Sequence, residues 1–193
     1  MYAKSLEKRE LILDGAKNVI LHKGFAATTM KDIIEECEIS RGGLYFYFSS
    51  VEDIFIEILK TRKRTTEKLV DGFIEQSENF PQLLDLYFEY QRERLLHMEK
   101  SLLSAVIEYG FTNKTPEGNA IIQDQYDGTK DILLTIMDFG CRRNELRGNP
   151  QTSAELVLFV IEGMSIKAMT AGIEEKCIAG QFALLKQQLS GCI

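Results

Sequence analysis

Between Ser40 and Phe48 the sequence SRGGLYFYF places one guanidinium, two adjacent glycines and two phenolic hydroxyls in a short run. Arg41, Tyr45 and Tyr47 are hydrogen-bond donors, suited to a partner rich in anionic or carbonyl acceptors. They are not a bond-making set. The chain has only two histidines, and RGGLY lacks the Lys-Ser/Thr ending of a nucleotide-phosphate loop. No Cys or His pair stands at metal-ligand spacing, so no metal and no cofactor are expected. Local preference is divided here, because the glycines favour a turn and the four aromatics Tyr45 to Phe48 favour a strand.

The elements around the run resolve the conflict. Ile12, Leu13, Ala16, Val19 and Ile20 form one helical stripe, and Gly24 follows His22 and Lys23 as a C-terminal stop. Thr29 followed by Asp32 predicts a capping box opening a short second helix that turns Ile33, Ile34 and Cys37 inward. A turn at Glu38-Ile39 leads to Ser40, an N-cap for a third helix through the aromatic run. Three short helices with a tight second connection predict a helix-turn-helix. Its third helix must enter a groove about 12 Å wide, where Gly42 and Gly43 would let the backbone come close. Leu44 and Phe48, four apart, are expected inward and Tyr45 and Tyr47 outward toward phosphate, with Phe46 partly packed.

The remainder also has helical period, which predicts an all-α fold of about nine helices. Helices are expected from Ser49-Ser50 to about residue 72, from Pro81, from Ser101, from Glu117, from Ala154 to Ala171 and from Glu175 to Leu189. The expected division is residues 1–50 for the helix-turn-helix and 51–193 for a second helical domain, with helix 51–71 linking them. Net charge divides similarly. Residues 1–68 hold 12 Lys/Arg against 11 Asp/Glu, and the rest hold 11 against 18, so the whole negative excess behind the net charge of -6 lies in the second part, which carries −7 against +1. Weak non-specific affinity for nucleic acid is expected, with a shallow salt dependence. The basic run Lys60 to Arg64 is expected to be a solvated helix face.

No run of about 18 apolar residues and no apolar leader follow Met1, so a cytoplasmic protein without a membrane span is expected. Cys37, Cys141, Cys177 and Cys192 are then expected as reduced, mostly buried thiols.

From Arg9 to Ile54 the chain reads IL-D-GA-KN-VI-LHK-GF, then TTM-K-DII-EE-CEIS-R-G-G-LYFYF-S-S-VEDI. This resembles the N-terminal domain of TetR-family transcriptional repressors and preserves its spacing throughout. The resemblance implies that Thr29 donates to phosphate and Arg41 reads a base edge. Ser40, Gly42 and Gly43 would lie at the groove, and Tyr45 and Tyr47 would touch phosphate. Departures are Val51 for a usual lysine, Glu38 for the turn glycine, and Ile34 and Cys37 for alanines. The partners implied are double-stranded DNA with a palindromic operator, a second copy of the chain, and a small, largely apolar or aromatic inducer that repositions the fourth helix. Tyr87, Tyr90, Met98, Tyr109, Tyr126, Phe159 and Glu162 are the pocket candidates, a carboxylate among aromatics suiting a lipophilic cation. Phe159, Met164, Ile178, Phe182, Leu185 and Leu189 are the interface candidates. The alternative is a helical enzyme or carrier without a DNA-binding role. The absence of a catalytic constellation favours a non-enzyme.

Overall fold

Helical period dominates the sequence and helices dominate the structure, a computed structural model that describes residues 2–190, with side chains from Leu6 onward except that of Lys100. Among these residues the chain is all-α, with α1 (Tyr2–Lys23), α2 (Met30–Glu36), α3 (Arg41–Tyr45), α4 (Val51–Gln76) and α5 (Phe80–Leu96). After a 3₁₀ turn at Met98–Lys100 come α6 (Leu103–Thr112), α7 (Pro116–Arg142), α8 (Pro150–Ala171) and α9 (Glu175–Leu189). The extended pairing is one isolated bridge, Leu146 with Ser190. Packing gives two units: Met1–Arg62 with Ser101–Asp124, and Lys63–Lys100 with Gln125–Ile193. Residues 51–62 and α6 therefore pack with the first three helices, across the role-based boundary placed at residue 50.

In the first unit the predicted α1 stripe is buried and meets Ile33, Leu44, Phe48, Ile54, Phe55, Ile58 and Leu59. Gly15 on α1 faces Cys37, the C-cap of α2. A Cβ added there would lie 2.3 Å from the Cys37 sulfur, so the glycine and the cysteine fill one space between them. Gly24 ends α1 at φ +80°. The next amide, Phe25 N–H, donates to Glu108 Oε2 of α6 at 2.7 Å. Phe25 then packs at a tilt against Phe55 (4.7 Å) and meets Tyr109 edge-on (5.1 Å). Tyr109 donates its hydroxyl to Glu52 Oε1 at 2.5 Å, and Asn113 Nδ2 donates to the same oxygen at 2.8 Å. Burial, then the bond to Glu52, pushes the Tyr109 phenol up to about 12. It stays a proton donor that holds α6 on the start of α4.

The second unit is built on α5, α8 and α9. Asn79 and Asn149 cap α5 and α8, each with proline in the first turn, where its missing N–H costs nothing. Phe88 stacks parallel on Phe182 at 4.6 Å, joining α5 to α9. Phe80 packs against Gly140, where a Cβ would lie 2.6 Å from the ring. The basic run is less solvated than expected. Lys60 and Arg64 are exposed, while Arg62 and Lys63 are half-buried, the Lys63 stem lying against Gly128.

Candidate nucleic-acid interface

The turn between α2 and α3 closes through Ile39 N–H to Ile34 O at 3.2 Å. It requires the left-handed region at Glu38, φ +50°. A side chain there costs about 1–2 kcal/mol relative to ordinary backbone, which is why glycine suits the position. Ser40 Oγ accepts from Gly43 N–H at 3.1 Å and caps α3. Helical advance from that cap buries Leu44 completely and turns Arg41, Gly42 and Tyr45 outward. The Arg41 guanidinium lies over the Tyr45 ring at 5.5 Å, which holds an exposed charge in one region of space. Arg9 anchors the other end. It covers the Phe48 ring at 5.2 Å and pairs with Glu57 at 3.3 Å.

The two glycines differ. A Cβ on Gly42 would meet nothing within 4 Å, so its smallness serves no contact inside the chain. A Cβ on Gly43 would crowd Ser40 Oγ at 3.1 Å and sit 3.6 Å from Lys8 Nζ, so that glycine protects the cap. The aromatics also correct the expectation. Phe46 is 78% exposed, whereas Tyr47 is half-buried against the core and meets the Phe46 ring edge-on at 5.0 Å. The reason is that α3 ends at Tyr45, and beyond it Tyr47 N–H bonds Leu44 O with a tighter three-residue closure. Helical spacing no longer orders side chains there. Sequence reasoning thus missed Phe46, and it missed Lys8, whose place beside α3 no local spacing reveals.

Thr29 forms the predicted capping box in both directions. Its Oγ1 accepts from Asp32 N–H at 3.2 Å, and Asp32 Oδ2 accepts from the Thr29 amide at 2.9 Å and hydroxyl at 2.8 Å. The hydroxyl proton is therefore committed within the chain, and Thr29 positions α2. Lys23 bonds Asp32 Oδ1 at 2.5 Å, and with Thr29 it holds that carboxyl down to about 2. The Lys23 charge is thereby balanced. Behind this point a groove of about 380 Å³ is lined by Val19, His22, Lys23, Asp32, Glu35 and Glu36, a set that repels phosphate. At the start of α4, where Val51 replaces a cation, Ser50 Oγ accepts from Asp53 N–H at 3.0 Å. Ser49 donates its amide and hydroxyl to the Asp53 carboxylate and holds its pKa below the usual carboxylate value.

The pocket candidates do not form one group. Tyr109 belongs to the first unit, and the others to the second. Tyr87 is buried and accepts from Gln91 at 2.7 Å, Met98 and Tyr126 are half-buried against the same core, and Tyr90 is half-buried with its ring 6.5 Å from that of Tyr87. Phe159 is 57% exposed and Glu162 half-buried, with its carboxyl raised by burial. Of the interface candidates, Met164, Ile178, Phe182, Leu185 and Leu189 are buried in the core of the single chain. Phe159 alone of that set is open. Beside it in type are the exposed Leu156, Ile166 and Leu184, with Gly163 and Gly180, whose Cβ positions face open space.

Among the described residues no group of three His, Cys, Asp or Glu could hold a metal ion, and no helix is long and apolar enough to cross a membrane. Cys37 is buried, its thiol pushed up by burial, and Cys177 is half-buried. Cys141 is exposed, contrary to expectation, and Cys192 lies outside the described residues.

Residues 12–58 match the model of the family described as bacterial regulatory proteins, tetR family. The HTH-type transcriptional regulator YfiR of Bacillus subtilis is 34% identical over 143 residues, covering 73% of this chain and 69% of its own. The transcriptional regulator FadR from Bacillus subtilis, in complex with stearoyl-CoA, superposes with a TM-score of 0.75 at 18% identity, over 93% of this chain and 98% of that one. A putative transcriptional regulator from Saccharomonospora viridis, in complex with choline, gives 0.77 at 17% identity, over 96% and 98%. Likeness at that identity shows the fold.

Proposed function

The chain belongs to the TetR family of DNA-binding transcriptional regulators, and from that premise we propose that it is a homodimeric repressor released from a palindromic operator by a small ligand. The observation that carries the proposal is the outward face of α3. Arg41, Gly42 and Tyr45 are exposed together on a helix whose opposite side, Leu44, is locked into the core. Arg41 reads a base edge through its paired N–H groups. Gly42 lets the backbone approach, and Tyr45 bonds phosphate. Tyr47, Ser40, Gly43 and Thr29 hold this face in place. Residues 1–50 carry the DNA contact, and the helical remainder carries dimerisation and sensing.

For the dimer, Phe159, Gly163 and Ile166 share one line on α8 at spacings of four and three. With Leu184 and Gly180 of α9 they supply apolar surface beside glycines, which lets the helices of two copies approach. For sensing, FadR and the Saccharomonospora protein show that this fold accepts one anionic and one cationic ligand. Fold likeness therefore leaves the charge of the effector to this chain's own residues. The response passes through α6, whose Glu108 and Tyr109 grip the end of α1 and the start of α4. A ligand that binds the gripped and released arrangements unequally shifts the operator equilibrium. The compartment is the cytoplasm, and no enzymatic activity is assigned.

Selection of bound sequences from random duplexes tests this reading. A palindromic consensus with half-sites one or two helical turns apart is expected. Recovery of no consensus, or of an asymmetric one, would overturn it.

A further inference from the structure

Two arginines stand two residues apart near the end of α5 in opposite electrostatic settings. Arg92 faces three carboxylates, Glu89 at 2.7 Å, Glu93 at 2.6 Å and Glu175 at 2.5 Å. Arg94 turns into the second unit, where α5, the 3₁₀ turn and α8 pack on one another. Its Nε donates to Gln91 Oε1 at 2.7 Å and its Nη2 to Ser165 Oγ at 3.2 Å. Both acceptors are neutral and buried. Gln91 is itself fixed by its bond to the Tyr87 hydroxyl, and Ser165 by donating to Ile161 O at 2.7 Å.

No carboxylate among the described residues pairs with Arg94. Glu162, one turn before Ser165 on α8, forms no ion pair with it. A guanidinium has five N–H donors. Two are used, and the pair most suited to a fork, on Nη1 and Nη2, still has a hydrogen to give from each nitrogen. Burying a cation without a counter-charge is costly, and burial here disfavours the charged form. Both arginines are half-buried, and folding alone gives no reason to surround one with three acids and leave the other with neutral partners.

We propose that Arg94 is the anchor for an anionic head group, a carboxylate or a phosphate, on an otherwise apolar small molecule that is the effector of this regulator. Gln91 and Ser165 hold the guanidinium plane, and its remaining N–H groups form the two-pronged contact that an oxyanion accepts. Met98, half-buried against this core, and Tyr90, half-buried with its ring 6.5 Å from that of Tyr87, receive the apolar body. This assignment rests on the regulator reading, and it reverses the preference for a cation that Glu162 among aromatics suggested.

The test uses the full chain with four chain-matched probes below their micelle concentrations: dodecanoate, dodecyl phosphate, dodecanol and dodecyltrimethylammonium. Thermal midpoint and release of a selected, fluorescent operator duplex are read together. At least one anion is expected to raise the midpoint and release the duplex at concentrations at least tenfold below the alcohol and the cation. The stronger of the two anions distinguishes carboxylate from phosphate. In Arg94→Met the anion's half-effect concentration rises at least tenfold, and the ligand-free midpoint is equal or higher because an unbalanced buried charge has gone. Arg94→Lys recovers part of the response. A stronger response to the cation, no response to either anion, or an unaltered anion response in Arg94→Met overturns the proposal. Should Arg94→Met not fold, the charge series on the unmodified chain still decides. A chain that selects no operator would instead defeat the regulator reading, while the midpoint series continues to test Arg94.

Discussion

Arg41 and Arg94 carry the same group in two regions that use it differently. On α3 the guanidinium is exposed, steadied only by the Tyr45 ring, and free to meet a base edge. At the α5–α8 junction it is half-buried, fixed by two neutral acceptors and, among the described residues, lacking a counter-charge. An exposed arginine costs little to keep, so its contribution appears only when a partner arrives. A half-buried one without a counter-charge costs stability unless something binds it. The difference teaches where to look for a ligand: an unbalanced charge inside is more informative than a charge outside.

The largest effect that would break this comparison lies on the exposed side. Arg41→Ala with Tyr45→Ala should weaken binding to the selected operator about 100-fold or more, since one bidentate base contact alone is worth about 1–3 kcal/mol. Its thermal midpoint should move by no more than about 2 °C, because neither side chain is core. Fluorescence anisotropy and calorimetry read the two quantities. A fall of less than tenfold in affinity would mean that another surface reads the DNA.

A smaller effect concerns the support beneath that surface. Gly15→Ala places a methyl 2.3 Å from the Cys37 sulfur, and overpacking of this kind costs about 1–3 kcal/mol. Combining it with Cys37→Ala removes the colliding atom and should restore most of the loss, as measured by urea unfolding. Additive destabilisation of the two changes would show that the residues do not share one space.

The smallest effect sharpens the electrostatic side. Asp32 is held down from 3.8 to about 2 by Lys23 and Thr29. A depressed folded-state value gives stability that is full above the unfolded value and lost as pH falls through the folded one. Asp32→Asn should therefore flatten the stability profile between about pH 4 and pH 2 and leave its slope near pH 7 unchanged. An identical acid limb in the variant would show that the Lys23–Asp32 bond is not populated in solution.

Much of the DNA-facing unit was legible because it is local. Thr29 and Asp32 are three residues apart, Ser40 precedes its helix, and Leu44 and Phe48 keep one spacing, so short-range geometry settles each. The exchange of Phe46 and Tyr47 was not legible, because it depends on where α3 stops. The apolar stripe of α9 shows burial in both readings, yet Ile178, Phe182, Leu185 and Leu189 are covered by α5 and α8 of the same chain. Periodicity states that a face is covered. It does not name the cover. Tyr109 illustrates the same limit, since its place beside Phe25 and Glu52 joins segments distant in sequence.

By itself, then, the sequence determined the helical class, the caps at Thr29 and Ser40, the helix-turn-helix and the family, all properties of residues within a few turns of one another. Only the tertiary structure decided that Gly15 answers Cys37, that α6 grips α1 and α4, and that Arg94 is half-buried against neutral partners. Such facts depend on distances between segments remote along the chain, and side-chain spacing carries no information about those distances.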